Sequence, residues 1–268
     1  MNIIKLVKID LIKLTNYRAF NVLVGLYALL IISVPVSVTE FLKWLKVKGA
    51  EFDQFDPMKI PILHFPDIWQ NVTYVYTFLK IFLAIVVIIS VSNEFSYKTV
   101  RQNIIDGLSR TDFLISKVAT ILLLSISSAV LVFITTYVTG WIYTPDVSIG
   151  ESLETSSFVF AYFLDLFGYL IFAFLLTVIL KRSALTIFIL MLYRPIELTI
   201  AGLLPEKLEF LGEYFPLNVL SRLIEIPFPR YWFQEIQDYV AWDAVAMVIV
   251  YIALFVYAVH AKLKSSDL

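Results

Sequence analysis

Long uncharged apolar runs alternate along this chain with short polar, charged stretches, and runs of about 20 such residues are long enough to cross a bilayer as α-helices. Six spans are predicted, at about 20–39, 72–92, 118–139, 157–180, 183–203 and 240–260. Ahead of the first, residues 1–19 place Ile3, Ile4, Val7, Leu11 and Leu14 on one side of a helix and Lys5, Lys8, Lys13 and Asn16 on another. That pattern fits an amphipathic helix lying along the membrane surface, or a plain extension of the first span. The apolar run that follows outlasts the core of a secretory signal and has no small-x-small cleavage site, so it is expected to remain as a span.

The connections divide by composition. Residues 40–71 mix Lys43, Lys46, Lys48, Glu51, Asp53, Asp56 and Lys59 with Pro57, Pro61 and Pro66, and read as an outer loop with short interfacial helices near Trp44 and Trp69. Residues 94–117 form a charged segment between the second and third spans, and Lys181 with Arg182 forms a tight turn. Pro195, flanked by Arg194 and Glu197, is expected to kink or break the fifth span. Residues 204–239 are too often interrupted by prolines and carboxylates to cross a membrane, and read as half-inserted, re-entrant outer helices. Trp69, Trp141, Trp232 and Trp242 fall near the predicted outer boundaries, as an aromatic belt would. The fold class is an all-α polytopic membrane protein with a single transmembrane domain over 1–268.

Composition agrees with this reading. With 60% hydrophobic residues, 16% charged residues and a mean hydropathy of +0.84, the chain lies outside the balance of a soluble globular domain. It has no cysteine, so disulfides and thiolate metal sites are excluded. Charge sets the orientation. Twelve Lys and Arg fall at residues 1–19, 94–117, 181–182 and in the tail at Lys262 and Lys264, against eight spread over the other, longer connections. The positive-inside rule then puts both termini and the 94–117 segment in the cytoplasm of a cell-membrane protein.

Enzyme chemistry is not expected, because HExxH, GxSxG and paired intramembrane aspartates are all absent. His64 and His260 have no second ligand at metal spacing, and Asn71-Val72-Thr73 is a chance-grade sequon. Neither a metal nor a nucleic-acid partner is expected.

Charges inside spans are costly, at roughly 2.5–3.5 kcal/mol or more each when unpaired. Lys80, Asp165, Arg194 and Glu197 fall at similar depth in the outer half of their spans. The expectation is that Lys80 pairs with Asp165 or Glu197 and that Arg194 joins the same network near an outer gate. The alternative is that Lys80 and Arg194 snorkel to the headgroups.

Within 94–117, Val100, Ile104, Ile105 and Leu108 recur at helical spacing, which fits a short amphipathic helix held against membrane or partner, or a solvated loop. Glu94, Thr99, Arg101, the Ser109-Arg110 pair and Lys117 make this segment resemble the signature of permease subunits of type-2 ABC exporters, and the layout of spans and loops is also similar. Lys98 stands where that family often has glycine, and Leu108 where it often has proline.

The resemblance implies a half-transporter whose segment acts as a coupling helix on a separate ATP-binding subunit, with Lys98, Ile104 and Ile105 among the contacts. It implies that Glu94 pairs with a basic residue of the amino-terminal helix or of the partner. An ordinary interfacial carboxylate is the alternative for Glu94. GxxxxGK[ST] is absent, so no cofactor is expected in this chain, and ATP and Mg belong to the partner. A homodimer, or a heterodimer with a related permease, is implied, exporting a cargo the residues do not name. A non-transporting anchor or scaffold of a cell-envelope or motility complex is the alternative function.

Overall fold

The computed structural model describes residues 3–47, 60–232 and 234–265, and all regular structure among them is helical. The stretch 48–59 of the expected outer loop lies outside the described residues. In order the helices are α1 (Ile3–Thr15), α2 (Arg18–Val47), α3 (Ile68–Thr77), α4 (Lys80–Ser96), α5 (Thr99–Ile105), α6 (Arg110–Tyr143), α7 (Ile149–Ser152), α8 (Ser157–Leu180), α9 (Ser183–Gly202), α10 (Pro216–Ser221) and α11 (Trp242–Ser265). Six segments are long and apolar enough to span a membrane: α2, α3 with α4, α6, α7 with α8, α9 and α11. The protein is therefore a multi-pass membrane protein.

The centre of the bundle is α8. Its sequence is apolar on every side, which suits a helix surrounded by others. It contacts α3, α4, α6, α9, α10 and α11, and 67% of its apolar window is buried, against 17% for α2 and for α9. The latter two are peripheral, with most of their surface left for lipid or another chain.

Several boundaries differ from expectation for definable reasons. A helix does not stop where apolar residues stop; it stops at a breaker. No proline or glycine lies between Thr39 and Val47, so α2 continues through Glu40, Lys43 and Lys46 into what reads as outer loop. α6 runs for 34 residues, beyond both ends of the predicted 118–139, from shortly after Gly107, through Gly140, to shortly before Pro145. Pro35 is tolerated inside α2, where the carbonyl it leaves without an N–H, Ile31 O, accepts from the Tyr76 hydroxyl of α3 at 2.8 Å. Pro195 does not break its helix either: α9 is continuous from Ser183 to Gly202, which corrects the expected break.

The break falls in the second span instead. At Phe78 and Leu79 the backbone switches to i→i−3 bonds, with Phe78 N on Val75 O at 3.2 Å and Leu79 N on Tyr76 O at 3.0 Å. The chain resumes as α4 at Lys80.

Between α9 and α11 the chain makes a 3-10 segment at Glu206–Tyr214, then α10, then a second 3-10 segment at Phe228–Trp232. Each starts at a proline: Pro205 precedes the first, Pro216 opens α10, and Pro227 precedes the third. Leu217, Val219, Leu220, Leu223 and Ile224 are buried, so the segment is folded onto the bundle. Its irregular backbone is satisfied by buried amides of α3. Gln70 Nε2 donates to Gln237 O at 2.8 Å and Glu225 O at 3.3 Å, and Asn71 Nδ2 donates to the Tyr231 hydroxyl at 2.7 Å. Trp69 belongs to this core too. It is fully buried and its indole donates to Ser152 O at 2.7 Å, so it is not part of an aromatic belt.

Candidate functional site

The 94–117 segment folds as a short helix between two stiff closures. At its start, Lys98 adopts the left-handed conformation, φ 58° and ψ 20°, which glycine takes freely and a lysine does not. At its end, Gly107 has φ 97°, its N–H reaches Ile104 O at 3.1 Å and Leu108 N–H reaches Asn103 O at 2.9 Å. That is the double bond of a Schellman stop. One residue on, Ser109 starts α6 with a capping box: its hydroxyl accepts from Asp112 N at 3.0 Å, and its own N–H donates to Asp112 Oδ2 at 3.3 Å.

The helix turns Val100 inward, fully covered, and Ile104 and Leu108 partly so, whereas Ile105 is 70% exposed. Ile105 therefore leaves the face on which periodicity placed it. Arg101 and Lys98 are exposed, and neither side chain has a partner among the described residues. Thr99 Oγ1 donates back to Glu94 O at 3.2 Å, closing the α4–α5 corner. Arg110 is spent on a different contact: it donates to Leu263 O at 2.8 Å and Lys264 O at 2.6 Å, the last carbonyls of α11, where a cation is favoured.

Behind α5 lies a buried ionic knot. Lys117 Nζ of α6 is 2.8 Å from Glu94 Oε1 of α4 and 2.8 Å from Asp10 Oδ1 of α1. Ser116 Oγ donates to the other Asp10 oxygen at 2.6 Å, and the half-exposed Lys13 approaches Glu94 at 3.4 Å. Glu94 thus pairs with the amino-terminal helix, as the resemblance implies, but chiefly with Lys117. Asp10 was not singled out by sequence; it lies on the Leu6–Asp10–Leu14 strip of α1 that is buried, while Ile4 is 76% exposed.

Two clefts flank α5. One, of about 280 Å³, is lined by Asp10, Glu94, Asp106 and Asp112 against Lys13 and Lys117; the second, of about 260 Å³, by Lys98, Arg101 and Lys181 against Glu94, so that carboxylates outnumber cations in the first and cations outnumber carboxylates in the second. The short helix accordingly separates an acidic hollow from a basic one.

The four charges inside spans form two pairs. Lys80 Nζ reaches Asp165 at 2.7 and 3.0 Å and lies 4.8 Å from the centre of the Tyr169 ring. Glu197 is not a partner of Lys80. It caps α10, accepting from Leu217 N at 2.9 Å and Asn218 N at 3.4 Å, with Arg194 at 3.6 Å. Arg194 donates to Asn218 Oδ1 and, at 3.0 Å, to Ser221 Oγ. Asn218 and Ser221 could not be matched to Arg194 from spacing, because the intervening segment is irregular. A cavity of about 490 Å³ brings Lys80, Asp165 and Arg194 together on its wall. Among the described residues no group of three or more His, Asp or Glu converges as metal ligands would.

These features define the class: a six-span helical membrane protein with a short helix clamped between two spans at one end and an ion-paired cavity among its spans. Within that class the chain belongs to the family described as "Protein of unknown function (DUF2705)", which it matches over residues 29–268. Comparison with curated proteins finds no match.

Proposed function

We propose that the chain is the transmembrane permease subunit of a type-2 ABC exporter in the cell membrane, with α5 as the coupling helix that docks on a separate ATP-binding subunit. The observation that carries this reading is the attachment of α5. Its stiff closures at Lys98, Gly107 and Ser109 join it to α4 and α6, and Lys117 ties those two helices to each other and to α1. A push on the exposed Arg101 and Ile105 would then move three helices as one body, where a flexible loop would absorb it. The acidic and basic clefts beside α5 give a partner surface two charged features to match.

In this reading both termini are cytoplasmic, residues 204–239 form the re-entrant outer segment, and ATP and Mg are bound and hydrolysed by the partner. Two permeases, identical or related, pair across the cargo path. The break before Lys80 lies on the same span that α5 would drive, so motion of α4 would reach the cavity.

The test is co-purification with an ATP-binding-cassette subunit co-expressed with this chain, sought first among the neighbouring genes. Arg101→Glu combined with Ile105→Asp should abolish co-purification without changing the yield or melting of the permease. Normal binding of the ATP-binding subunit to a chain lacking residues 97–110 would overturn the reading.

A further inference from the structure

We propose that the cavity between the α3–α4 break, α9 and α10 binds the anionic headgroup of an amphiphile, a carboxylate or phosphate on an apolar tail, between Lys80 and Arg194. The argument begins with which partner of each ion pair faces the space. In the Lys80–Asp165 pair the lysine side chain is 20% exposed and the aspartate 2%; in the Arg194–Glu197 pair the values are 36% and 4%. Asp165 reaches the cavity wall but is almost wholly covered by Lys80, and Glu197 does not line it, so a neutral set of charges presents its two cations outermost.

The cations also have donors to spare. Lys80 spends two N–H groups on the two oxygens of Asp165, and the remaining side of its ammonium has the face of the Tyr169 ring, 4.8 Å to the centre, rather than a hydrogen-bond acceptor. Arg194 spends its donors on Asn218 and Ser221, two neutral acceptors, and its guanidinium carries more N–H groups than these take up. Glu197 takes the amide N–H groups of Leu217 and Asn218 on Oε1, while its buried Oε2 lies 3.6 Å from Arg194 Nη1 and draws on one edge of the guanidinium only. Unused donors in a low-dielectric wall favour an anion, and a neutral or cationic headgroup would leave them unpaired.

The rest of the lining suits a tail. Leu190, Leu217 and Leu220 line the cavity, and Phe78 and Met191 stand at its margin 66% and 60% exposed, on the surface that lipid would contact. A volume of about 490 Å³ falls within the usual range of small-molecule sites. As a binding site this stands independently; as the identity of the cargo it rests on the exporter reading.

The test uses the full chain purified in a non-ionic detergent, without any ATP-binding subunit, and radiolabelled oleate and lysophosphatidate as probes. Saturable binding is expected for at least one of them, and which one binds distinguishes carboxylate from phosphate. Monoolein, with the same tail and no charge, should compete roughly tenfold or more less well than unlabelled oleate. Arg194→Gln should weaken anion binding by a similar factor while Arg194→Lys retains most of it. Met191→Trp, at the margin, should block entry without touching a charge. Equal competition by monoolein, no saturable binding of either anion, or unchanged binding in both Arg194→Gln and Met191→Trp would overturn the proposal. Since no partner is present, that failure is separate from a failure of α5 to hold an ATP-binding subunit.

Discussion

A single ammonium, that of Lys117, holds the junction of α1, α4 and α6, and it is only 6% exposed between two carboxylates. Removing one member of such a buried set leaves the others uncompensated, at a cost of about 3–5 kcal/mol. Lys117→Met is therefore expected to lower the denaturation free energy in detergent by about that amount, while Lys13→Ala, whose side chain is 47% exposed, should change it by less than about 1 kcal/mol. Lys98 makes a prediction of the opposite sign. A non-glycine residue in the left-handed region is strained by roughly 1–2 kcal/mol, so Lys98→Gly should raise the melting temperature. Its sequence signal was present, since Lys98 occupies a position where the resembling family often has glycine. Asp67 responds to pH. Burial pushes its carboxyl above the ordinary value of 3.8, outweighing the pull of Arg230 beside it. A folded-state pKa raised in this way adds stability below 3.8 and loses it as pH rises through the folded value. Wild type should lose stability over that rise relative to Asp67→Asn, measured by melting across the acidic range. Asp10 shows why part of this site could not be read from the chain. Apolar residues of a membrane helix face lipid as readily as protein, so the apolar stripe of α1 does not fix its buried side: Leu14 of the stripe is buried, Val7 and Leu11 are half-buried and Ile4 is exposed, and the buried strip is turned toward Leu6 and runs through the one acid.

At the scale of elements, the same ambiguity governs what was legible. Six apolar runs give six spans, because length and hydropathy report the bilayer directly. Helix ends are less legible, since α2 and α6 end at breakers, and the break between α3 and α4 has no proline or glycine to announce it. Close packing explains a further position. A methyl added at Gly140 of α6 would fall on the ring of Phe65, which is itself packed against Trp69 and Tyr137 and is only 9% exposed. The ring has nowhere to retreat, so Gly140→Ala should destabilise by about 1–3 kcal/mol despite alanine's better helix propensity. A melting temperature at or above wild type would show that Phe65 can swing aside and that the contact between the loop before α3 and the end of α6 is loose.

For the whole molecule the open quantity is which end faces the cytoplasm. Six crossings bring both chain ends to one side, and the contacts agree: Arg110 at the start of α6 binds the last turn of α11, and Lys117 binds α1. α5 shares that end. The proposed function requires that end to be cytoplasmic, as the positive-inside count predicts, so that an ATP-binding subunit could reach Arg101 and Ile105. Because the chain has no cysteine, single cysteines report side without background. Tyr97→Cys, at a position 74% exposed beside α5, and Asn16→Cys after α1 should react with a membrane-impermeant maleimide only in inverted vesicles. Ile149→Cys and Trp242→Cys, at exposed positions of the opposite end, should react on intact cells. The reverse pattern would put α5 outside the cell, away from any ATP, and the coupling role would fall with it. The proposed anion site would survive that inversion, because Lys80 and Arg194 would still be the outermost charges of the cavity; only the leaflet supplying the amphiphile would change.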